Sequence, residues 1–189
     1  MSYIVFDTEF TSWKGSIQNN WSKPGEHREL VQIGAIKIQD GKIIEKLNIF
    51  IKPKINPVLS DYFIKLTGIT NEHLDKYSQN IFVALDRFYE FSKNCIIYSY
   101  GNDYSIIEEN LLLNSAPMKS KYFSLKWKEK FRDFKELLYD YDINSDKYTS
   151  GTIYKAFNLK LDNTHKVHNA LDDAFSLYIT SKYILEDNI

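Results

Sequence analysis

Apolar residues cluster in five short stretches that are rich in β-branched and aromatic side chains and are bounded by turn residues, the pattern of strands. Two of these stretches are joined by Asp40-Gly41, a dipeptide that favours a two-residue hairpin. Together with the first stretch, the hairpin predicts three consecutive antiparallel strands. The five predicted strands are Tyr3–Phe6, Glu29–Ile38, Lys42–Ile51, Cys95–Tyr100 and Phe131–Phe134.

Apolar residues elsewhere recur at the three- and four-residue spacing of helices. The clearest helical patterns lie at Ile81–Phe91, Tyr104–Leu113 and Asn169–Leu185. Shorter helices are predicted at Leu59–Ile69, Lys135–Tyr141 and Ser150–Phe157, and long loops at Thr11–Arg28 and Leu159–Val167. The alternation of strands and helices predicts an α/β fold.

The first predicted strand runs directly into two carboxylates, Asp7 and Glu9, in the sequence YIVFDTEF. Residues two apart on a strand point to the same face, so we expect these side chains to lie side by side. Like charges held that close repel, and one takes up a proton unless a cation neutralises both. Because hard divalent cations such as Mg²⁺ and Mn²⁺ prefer oxygen ligands, the pattern favours a metal site. The alternative is a strand that has reached solvent and ends in two hydrated residues.

A third carboxylate, Asp103, follows the predicted strand Cys95–Tyr100 and begins the next helix. Ligands of open α/β sheets bind where strands end, so Asp103 is a candidate for the same site. The loop Thr11–Arg28 has no periodic pattern of its own, and loops of that length are often functional. It either borders this site or is an insertion without a role.

His168 precedes the last predicted helix, and Asp172 and Asp173 lie in its first turn. The helix dipole favours acidic residues at that place, which explains them without any catalytic role. If one of them faces the carboxylates, helical spacing from His168 favours Asp172, but only where His168 is itself helical. The spacing alone leaves this choice open.

Composition limits the class of protein. With 189 residues the chain can form one domain with a sizeable core, and we expect residues 1–189 to be a single domain. A net charge of −1 excludes proteins that bind nucleic acid through bulk positive charge. The single cysteine, Cys95, excludes an intramolecular disulfide. With no membrane-length apolar run and no signal peptide, we expect a cytoplasmic protein that binds no membrane.

Three motifs together resemble the DEDDh (DnaQ-like) family of 3′-to-5′ exonucleases. They are DTEF at 7–10, SYGNDYSIIEENL at 99–111 and HNALDDA at 168–174. The last motif fits the family pattern His-x-Ala-x-x-Asp, which selects Asp173 rather than Asp172. The segment 53–70, PKINPVLSDYFIKLTGIT, is similar to the Eri-1/KapD-like branch, several members of which trim RNA. Tyr100 departs from this branch, which often has tryptophan there, and the loop Trp13–Arg28 has no match.

The resemblance implies a ribonuclease-H-like exonuclease fold, a central five-stranded mixed sheet flanked by helices on both faces. It implies hydrolysis of single-stranded RNA or DNA from a free 3′ end, with RNA favoured and nucleoside 5′-monophosphates released. Two divalent cations, Mg²⁺ or Mn²⁺, would activate water and stabilise the leaving oxygen. Their ligands would be Asp7, Glu9, Asp103 and Asp173, and His168 would be the general base, a role that suits histidine near neutral pH.

The resemblance also implies where substrate binds. The expected substrate-binding residues are Phe10, Leu66, Thr67, Gly68, Ile69 and His165, and Leu66 or Ile69 would pack against the terminal base. The alternative for these two apolar residues is a place in the core. His165 lies outside the His-x-Ala-x-x-Asp pattern, so we expect it to touch substrate from a loop. The basic stretch Lys126–Arg132 either follows a phosphate backbone or is a solvated face over buried rings.

A different class of function remains as the alternative, a catalytically idle nucleic-acid-binding module of the same fold. Idle relatives usually lack a carboxylate, whereas this chain has all four together with the histidine. Phosphoryl transfer from a nucleotide is not supported, because the sequence contains no G-x-x-x-x-G-K-[ST] loop.

Overall fold

The structure is a computed structural model that describes residues 2–117 and 120–185. Its strands are β1 (Ser2–Phe10), β2 (Leu30–Gln39), β3 (Lys42–Phe50), β4 (Ile96–Ser99) and β5 (Phe131–Asp133). They form one sheet in the order β3-β2-β1-β4-β5. The pairs β1·β2 and β2·β3 are antiparallel, and β4 runs parallel to both β1 and β5. The predicted five-stranded mixed sheet is therefore confirmed.

Helices cover both faces of this sheet. In chain order they are α1 (Ser16–Asn19), α2 (Asp61–Thr67), α3 (Asn71–Tyr77), α4 (Ile81–Phe91), α5 (Asp103–Leu113), α6 (Leu125–Lys128) and α7 (Ala170–Leu185). Short 3₁₀ helices lie at Lys121–Phe123, Phe134–Tyr141, Ser145–Lys147 and Ile153–Phe157. One core cluster joins the sheet to α4 and α5, and a second joins it to α7. Across residues 2–117 and 120–185, the structure contains no helix long and apolar enough to cross a membrane.

The central strand β1 divides its side chains between the two cores. Ile4 and Phe6 pack in the cluster that includes α4 and α5, whereas Tyr3 and Val5 pack in the cluster that includes α7. All four are at most 2% exposed. Because side chains alternate along a strand, Asp7 continues the row that faces α7. The buried part of β1 therefore aims its first carboxylate at the start of the last helix.

The start of α7 lies directly on β2. A Cβ atom at Gly34, the β2 partner of Asp7, would come within 2.2 Å of the Ala170 backbone carbon. The Gln32 side chain, which is fully buried, accepts a hydrogen bond from the Ala170 N–H at 3.0 Å and donates to Asn48 Oδ1 at 2.8 Å. A glycine and a buried amide thus fix the height and position of α7 on the sheet.

Several predicted elements need correction. Thr11–Arg28 is not wholly irregular, because it contains the single helical turn α1. The helix predicted at Ser150–Phe157 is shorter, a 3₁₀ helix that begins at Ile153. In Lys126–Arg132, Trp127 is 2% exposed and its indole N–H donates to Ser92 Oγ at 3.0 Å. Phe131 packs partly buried against the same core cluster, so the rings of this stretch agree with the second expectation, a solvated face over buried rings.

Candidate functional site

Asp7 and Glu9 lie near the end of β1, and these residues are 7% and 8% exposed, respectively. Their places are set by pairing on β2, where Asp7 lies opposite Gly34 and Glu9 opposite Gln32. The register shifts between Glu9 and Phe10, which is where the strand leaves the regular ladder. Two carboxylates are therefore held by the sheet itself at the edge of the buried core.

Asp103 joins this pair from the other side of β1. It is the first residue of α5, whose N-cap is Asn102 with a side chain that accepts the Ser105 N–H at 3.2 Å. Its carboxylate accepts a hydrogen bond from Thr8 Oγ1 at 2.5 Å. Since Thr8 lies between Asp7 and Glu9, the hydroxyl links α5 to the same strand end.

The beginning of α7 supplies the remaining two groups. His168 has φ of 68°, a left-handed conformation, and α7 starts only at Ala170. The His168 N–H donates to Asp173 Oδ2 at 3.2 Å, and Asp173 is 3% exposed. Asp172 turns away and accepts the Lys166 N–H at 3.2 Å. Because His168 is not helical, the spacing that favoured Asp172 does not apply, and Asp173 faces the cluster.

Burial raises the pKa of every carboxyl group in this cluster, and neighbouring carboxylates add to the effect. Burial, followed by the charges of Asp103, Asp173 and Glu9, holds the pKa of Asp7 well above 3.8. Burial and the charges of Asp173 and Asp103 raise the pKa of Glu9 to about 8. Burial is also the main cause that raises the pKa of Asp173 to about 7 and that of Asp103 to about 6. Protons occupy part of this site at neutral pH unless cations replace them.

The donor set fits divalent cations. Ligand atoms of Glu9, His168 and Asp173 all lie within 4.8 Å of one another. Asp173 Oδ1 is buried and has no hydrogen-bond partner, which is costly for a carboxylate oxygen unless an ion takes that place. A Cβ atom at Gly151 would lie 2.2 Å from this same oxygen. Glycine therefore keeps the space beside Asp173 open, and oxygen ligands are those that Mg²⁺ and Mn²⁺ select.

The cluster forms the floor of a cleft of about 450 Å³. Its walls come from α2, from α5, from the segment 149–150 before a 3₁₀ helix, and from the loop after β1. The lining residues are Asp7, Thr8, Glu9, Phe10, Ser12, Ile17, Trp21, Arg28, Tyr62, Leu66, Tyr100, Asn102, Asp103, Ser105, Ile106, Thr149, Ser150, His168 and Asp173. All five predicted catalytic residues therefore share one opening to solvent.

The predicted substrate-binding residues divide into two groups. Phe10 and Leu66 line the cleft. Thr67, Gly68 and Ile69 line a neighbouring pocket instead. Ile69 is 4% exposed and packs with Leu59, Phe63 and other residues of a small core cluster. The chain turns at Gly68, with φ of 75°, and this turn directs Ile69 inward. Of the two residues expected to pack against the terminal base, Ile69 occupies the core position given as its alternative, and Leu66 lines the cleft.

His165 also lies outside the cleft. Its Nε2 atom is 3.0 Å from the Gly151 carbonyl oxygen, and its ring lies edge-on to Tyr154. It lines a separate pocket beside Asp162 and Asp172. The structure thus connects His165 to the glycine that borders Asp173 rather than to the space above the carboxylates.

Sequence reasoning missed one contributor to the site. Ser150 lines the cleft and lowers the pKa of both Asp7 and Asp173 through its hydroxyl, opposing the effect of burial. A serine before a glycine has no distinctive spacing that could have indicated this role. The loop after β1, for which the sequence left two alternatives, does border the site and contributes Ser12, Ile17, Trp21 and Arg28.

Solved structures share this architecture. The nuclease domain of 3′hExo, described as a DEDDh family member bound to rAMP, has a TM-score of 0.74 with 18% identity and covers 98% of this chain and 92% of that one. A zinc-bound complex of E. coli exonuclease I with single-stranded DNA has a TM-score of 0.69 with 15% identity, over 99% of this chain and 41% of that one. Likeness at these identities concerns the fold, and it confirms the predicted ribonuclease-H-like α/β architecture.

Curated relatives are similar along most of the chain. The probable 3′-5′ exonuclease KapD of Bacillus subtilis is 26% identical over 189 residues, which cover 98% of this chain and 85% of that protein. A PolC-type DNA polymerase III from Caldanaerobacter subterraneus is 26% identical over 172 residues, or 91% of this chain. This chain spans only 11% of the polymerase's length.

The family model for exonucleases, named for RNase T, matches residues 4–179. The match begins in β1 and ends within α7, so it contains all three sequence motifs and every residue of the carboxylate cluster. The family predicted from those motifs is confirmed, and the chain belongs to the exonucleases.

Proposed function

We propose that this protein is a metal-dependent exonuclease that hydrolyses phosphodiester bonds from the free 3′ end of single-stranded nucleic acid and releases nucleoside 5′-monophosphates. The observation that carries the proposal is the convergence of four carboxylates and a histidine on the floor of one open cleft. A catalytically idle module gains nothing from holding four mutually repelling carboxylates in a buried cluster. Their retention therefore favours the enzyme over the binding module.

Asp7, Glu9, Asp103 and Asp173 would hold two divalent cations, Mg²⁺ or Mn²⁺. When bound, such cations lower the pKa of a water molecule and stabilise the leaving oxygen. The chain's own part is to fix the ligands before the cations arrive. The sheet does so for Asp7 and Glu9, the Thr8 hydroxyl for Asp103, and the His168 N–H for Asp173.

His168 is proposed as the general base that takes the proton from the attacking water. Burial lowers the pKa of its imidazole below 6.5. The ring is therefore neutral at pH 7 and can accept a proton. Its left-handed backbone, φ of 68°, turns the side chain towards the cleft and separates it from the regular helix.

Phe10 and Leu66 are proposed to hold the terminal nucleotide, because both offer apolar surface within the cleft next to the carboxylates. Thr67, Gly68 and Ile69 would act indirectly, by fixing the end of α2. The Thr67 hydroxyl donates to the Phe63 carbonyl oxygen at 3.0 Å and accepts the Ile69 N–H at 3.0 Å. Apolar packing against bases is sequence-tolerant, so little base preference is expected.

RNA is proposed as the preferred substrate, on the similarity of residues 53–70 to the Eri-1/KapD-like branch. Structural neighbours include a 3′-exonuclease that recognises a histone mRNA stem-loop and exonuclease I with single-stranded DNA. We also propose that residues 1–189 act as a single domain. The cytoplasmic location expected from the sequence remains a prediction.

The decisive experiment compares linear and circular forms of the same oligonucleotide, as RNA and as DNA, with EDTA, Mg²⁺ or Mn²⁺. A 5′-labelled linear strand should shorten one nucleotide at a time from its 3′ end when a cation is present, and RNA should be degraded faster than DNA. The circle should remain intact. Degradation of the circle, or shortening that starts at the 5′ end, would refute the proposed function.

A further inference from the structure

The loop after β1, residues 11–28, forms one wall of the cleft. The proposed mechanism assigns no role to this wall. Four of its residues, Ser12, Ile17, Trp21 and Arg28, line the same opening as the carboxylates. Leu66 and Tyr62 line another part of that opening, from α2. The cleft therefore offers apolar surface on two sides of one reaction centre, and the loop side extends beyond Phe10 and Leu66, the residues proposed for the terminal nucleotide.

The loop is held in place by hydrogen bonds within itself, across its two ends and to the N-cap of α2. The Trp21 indole N–H donates to the Thr11 carbonyl oxygen at 2.9 Å, and the Thr11 N–H donates to the Glu29 carbonyl oxygen at 2.9 Å. The Ser60 hydroxyl, at the N-cap of α2, donates to the Ser12 carbonyl oxygen at 2.5 Å. These contacts fix the wall relative to β1 and α2, so it is a built surface rather than a loose insertion.

The inner face of this wall is apolar and open. The Trp21 ring lies 5.5 Å from the Phe10 ring, centroid to centroid, and Trp21 is half-buried. Ile17 is 69% exposed although it lines the cleft. An exposed isoleucine beside a tryptophan offers the kind of apolar and aromatic surface on which nucleobases pack. The wall thus has the chemistry of a base-binding site.

Arg28 adds a positive charge to this wall. Its guanidinium carbon lies 5.7 Å from the centroid of the Trp21 ring, and the side chain forms an ion pair with Glu109 at 2.6 Å. Among the described residues that line the cleft, Arg28 is the sole lysine or arginine. Because the floor is acidic, a phosphate that lies away from the bound cations finds its favourable partner here.

We propose that Ile17, Trp21 and Arg28 bind the nucleotide that precedes the terminal one, with the base on Ile17 and Trp21 and its phosphate at Arg28. This inference rests on the proposed function, and it adds a second subsite to that reaction. The loop would thus make the enzyme favour substrates longer than one nucleotide, and it would take no part in the chemical step. The enzyme should therefore use oligonucleotides far better than substrates that contain a single nucleotide.

The test compares two substrates for each variant, a single-stranded oligonucleotide and the 4-nitrophenyl ester of a nucleoside 5′-monophosphate. The ester fills only the terminal subsite. Ile17→Ser should lower kcat/KM for the oligonucleotide by about 3-fold or more, mainly through KM, and leave the ester unchanged, and its exposed position favours normal folding. Trp21→Ala should lower kcat/KM for the oligonucleotide by about 5- to 100-fold and that for the ester much less, because Trp21 also packs against Phe10 of the terminal subsite. Leu125→Ser, at a residue 67% exposed outside the cleft, is the matched control.

Arg28→Gln supplies an independent readout. Loss of one phosphate contact should reduce the slope of log KM for the oligonucleotide against log salt by about 0.7, and the ester should show no such change. Equal losses on both substrates, or oligonucleotide kinetics like wild type in Ile17→Ser and Trp21→Ala, would overturn the second subsite while the exonuclease stands. A wild-type protein that cleaves neither substrate would instead refute the proposed function, and the subsite with it.

Discussion

Replacement of Asp7 by asparagine is expected to raise the melting temperature of the metal-free protein while abolishing hydrolysis. Asp7 is 7% exposed, and its carboxyl pKa lies well above 3.8 because of burial and then of the charges on Asp103, Asp173 and Glu9. Asparagine has nearly the same shape, so the packing is retained. The substitution removes one of four competing carboxylates and, with it, one of the proposed ligands of the cations.

The size of the effect follows from the repulsion within the cluster. A close like charge shifts a carboxyl pKa by about one to three units, and each unit corresponds to about 1.4 kcal/mol. We therefore expect Asp7→Asn to stabilise the metal-free protein by about 1.4–4 kcal/mol at pH 8. For a chain of this size, 1 kcal/mol shifts the melting temperature by about 2–4 °C, which predicts a rise of about 3–16 °C.

The pH dependence of stability should have the same origin. In the folded protein these carboxyl groups hold protons that the unfolded chain has already released, so stability falls as pH rises. The window extends from the ordinary values of 3.8 and 4.5 to folded pKa values of about 6 for Asp103, about 7 for Asp173 and about 8 for Glu9. Metal-free wild-type protein should thus melt at a lower temperature at pH 8 than at pH 5, and Asp7→Asn should reduce that difference.

Scanning calorimetry in EDTA at both pH values measures these temperatures, and Asp140→Asn, at an exposed aspartate outside the cleft, is the matched control. Addition of Mn²⁺ should raise the melting temperature of the wild type more than that of Asp7→Asn. Two results would refute the reasoning. One is an Asp7→Asn melting temperature in EDTA at pH 8 that is equal to or below wild type, and the other is near-wild-type turnover of Asp7→Asn in saturating Mn²⁺.

Three further substitutions test other parts of the site. His168→Ala should lower kcat by about 10²- to 10⁴-fold and flatten the acid limb of the pH–rate profile; an equal loss in His165→Ala would mean that the base has been misassigned. Gly34→Ala should lower both the melting temperature and kcat, because its Cβ would meet the Ala170 backbone 2.2 Å away, and unchanged values would show that α7 can shift freely. The Glu29 carboxylate accepts three backbone N–H groups at 2.6–2.8 Å, and Glu29→Gln weakens this acceptor. Calorimetry should show that the free energy of unfolding falls by about 1.5–3 kcal/mol. A fall below about 0.5 kcal/mol would contradict this role.

The strands were predictable because each has a local signal. Asp40 and Gly41 have φ of 48° and 71°, the left-handed pair that a tight two-residue hairpin turn requires and that this dipeptide adopts readily. The apolar run before Asp7 is buried on both faces, as its continuous hydrophobicity indicated. Strands and helices can be predicted from the spacing of apolar residues over a short stretch of sequence. That spacing is present in the chain before it folds.

The details of the cleft depend on contacts between distant segments, which periodicity does not record. Ser150 reaches the carboxylates only because the 3₁₀ helix after it packs on α7. Ile69 fits a base-packing pattern as well as a core pattern, and the turn at Gly68 decides between them. The choice between Asp172 and Asp173 depended on whether His168 is helical. Its left-handed backbone answers that question, and no local residue preference foretold it.

The attachment of α7 to β2 through Gln32 and Gly34 has a consequence for synthesis of the protein. Asp7 and Glu9 leave the ribosome early, and β1, β2 and β3 can pair as soon as they emerge. His168 and Asp173 join them only after Ala170–Leu185 has emerged and docked on the sheet. A nascent chain therefore carries an incomplete carboxylate cluster until α7 has docked on the sheet.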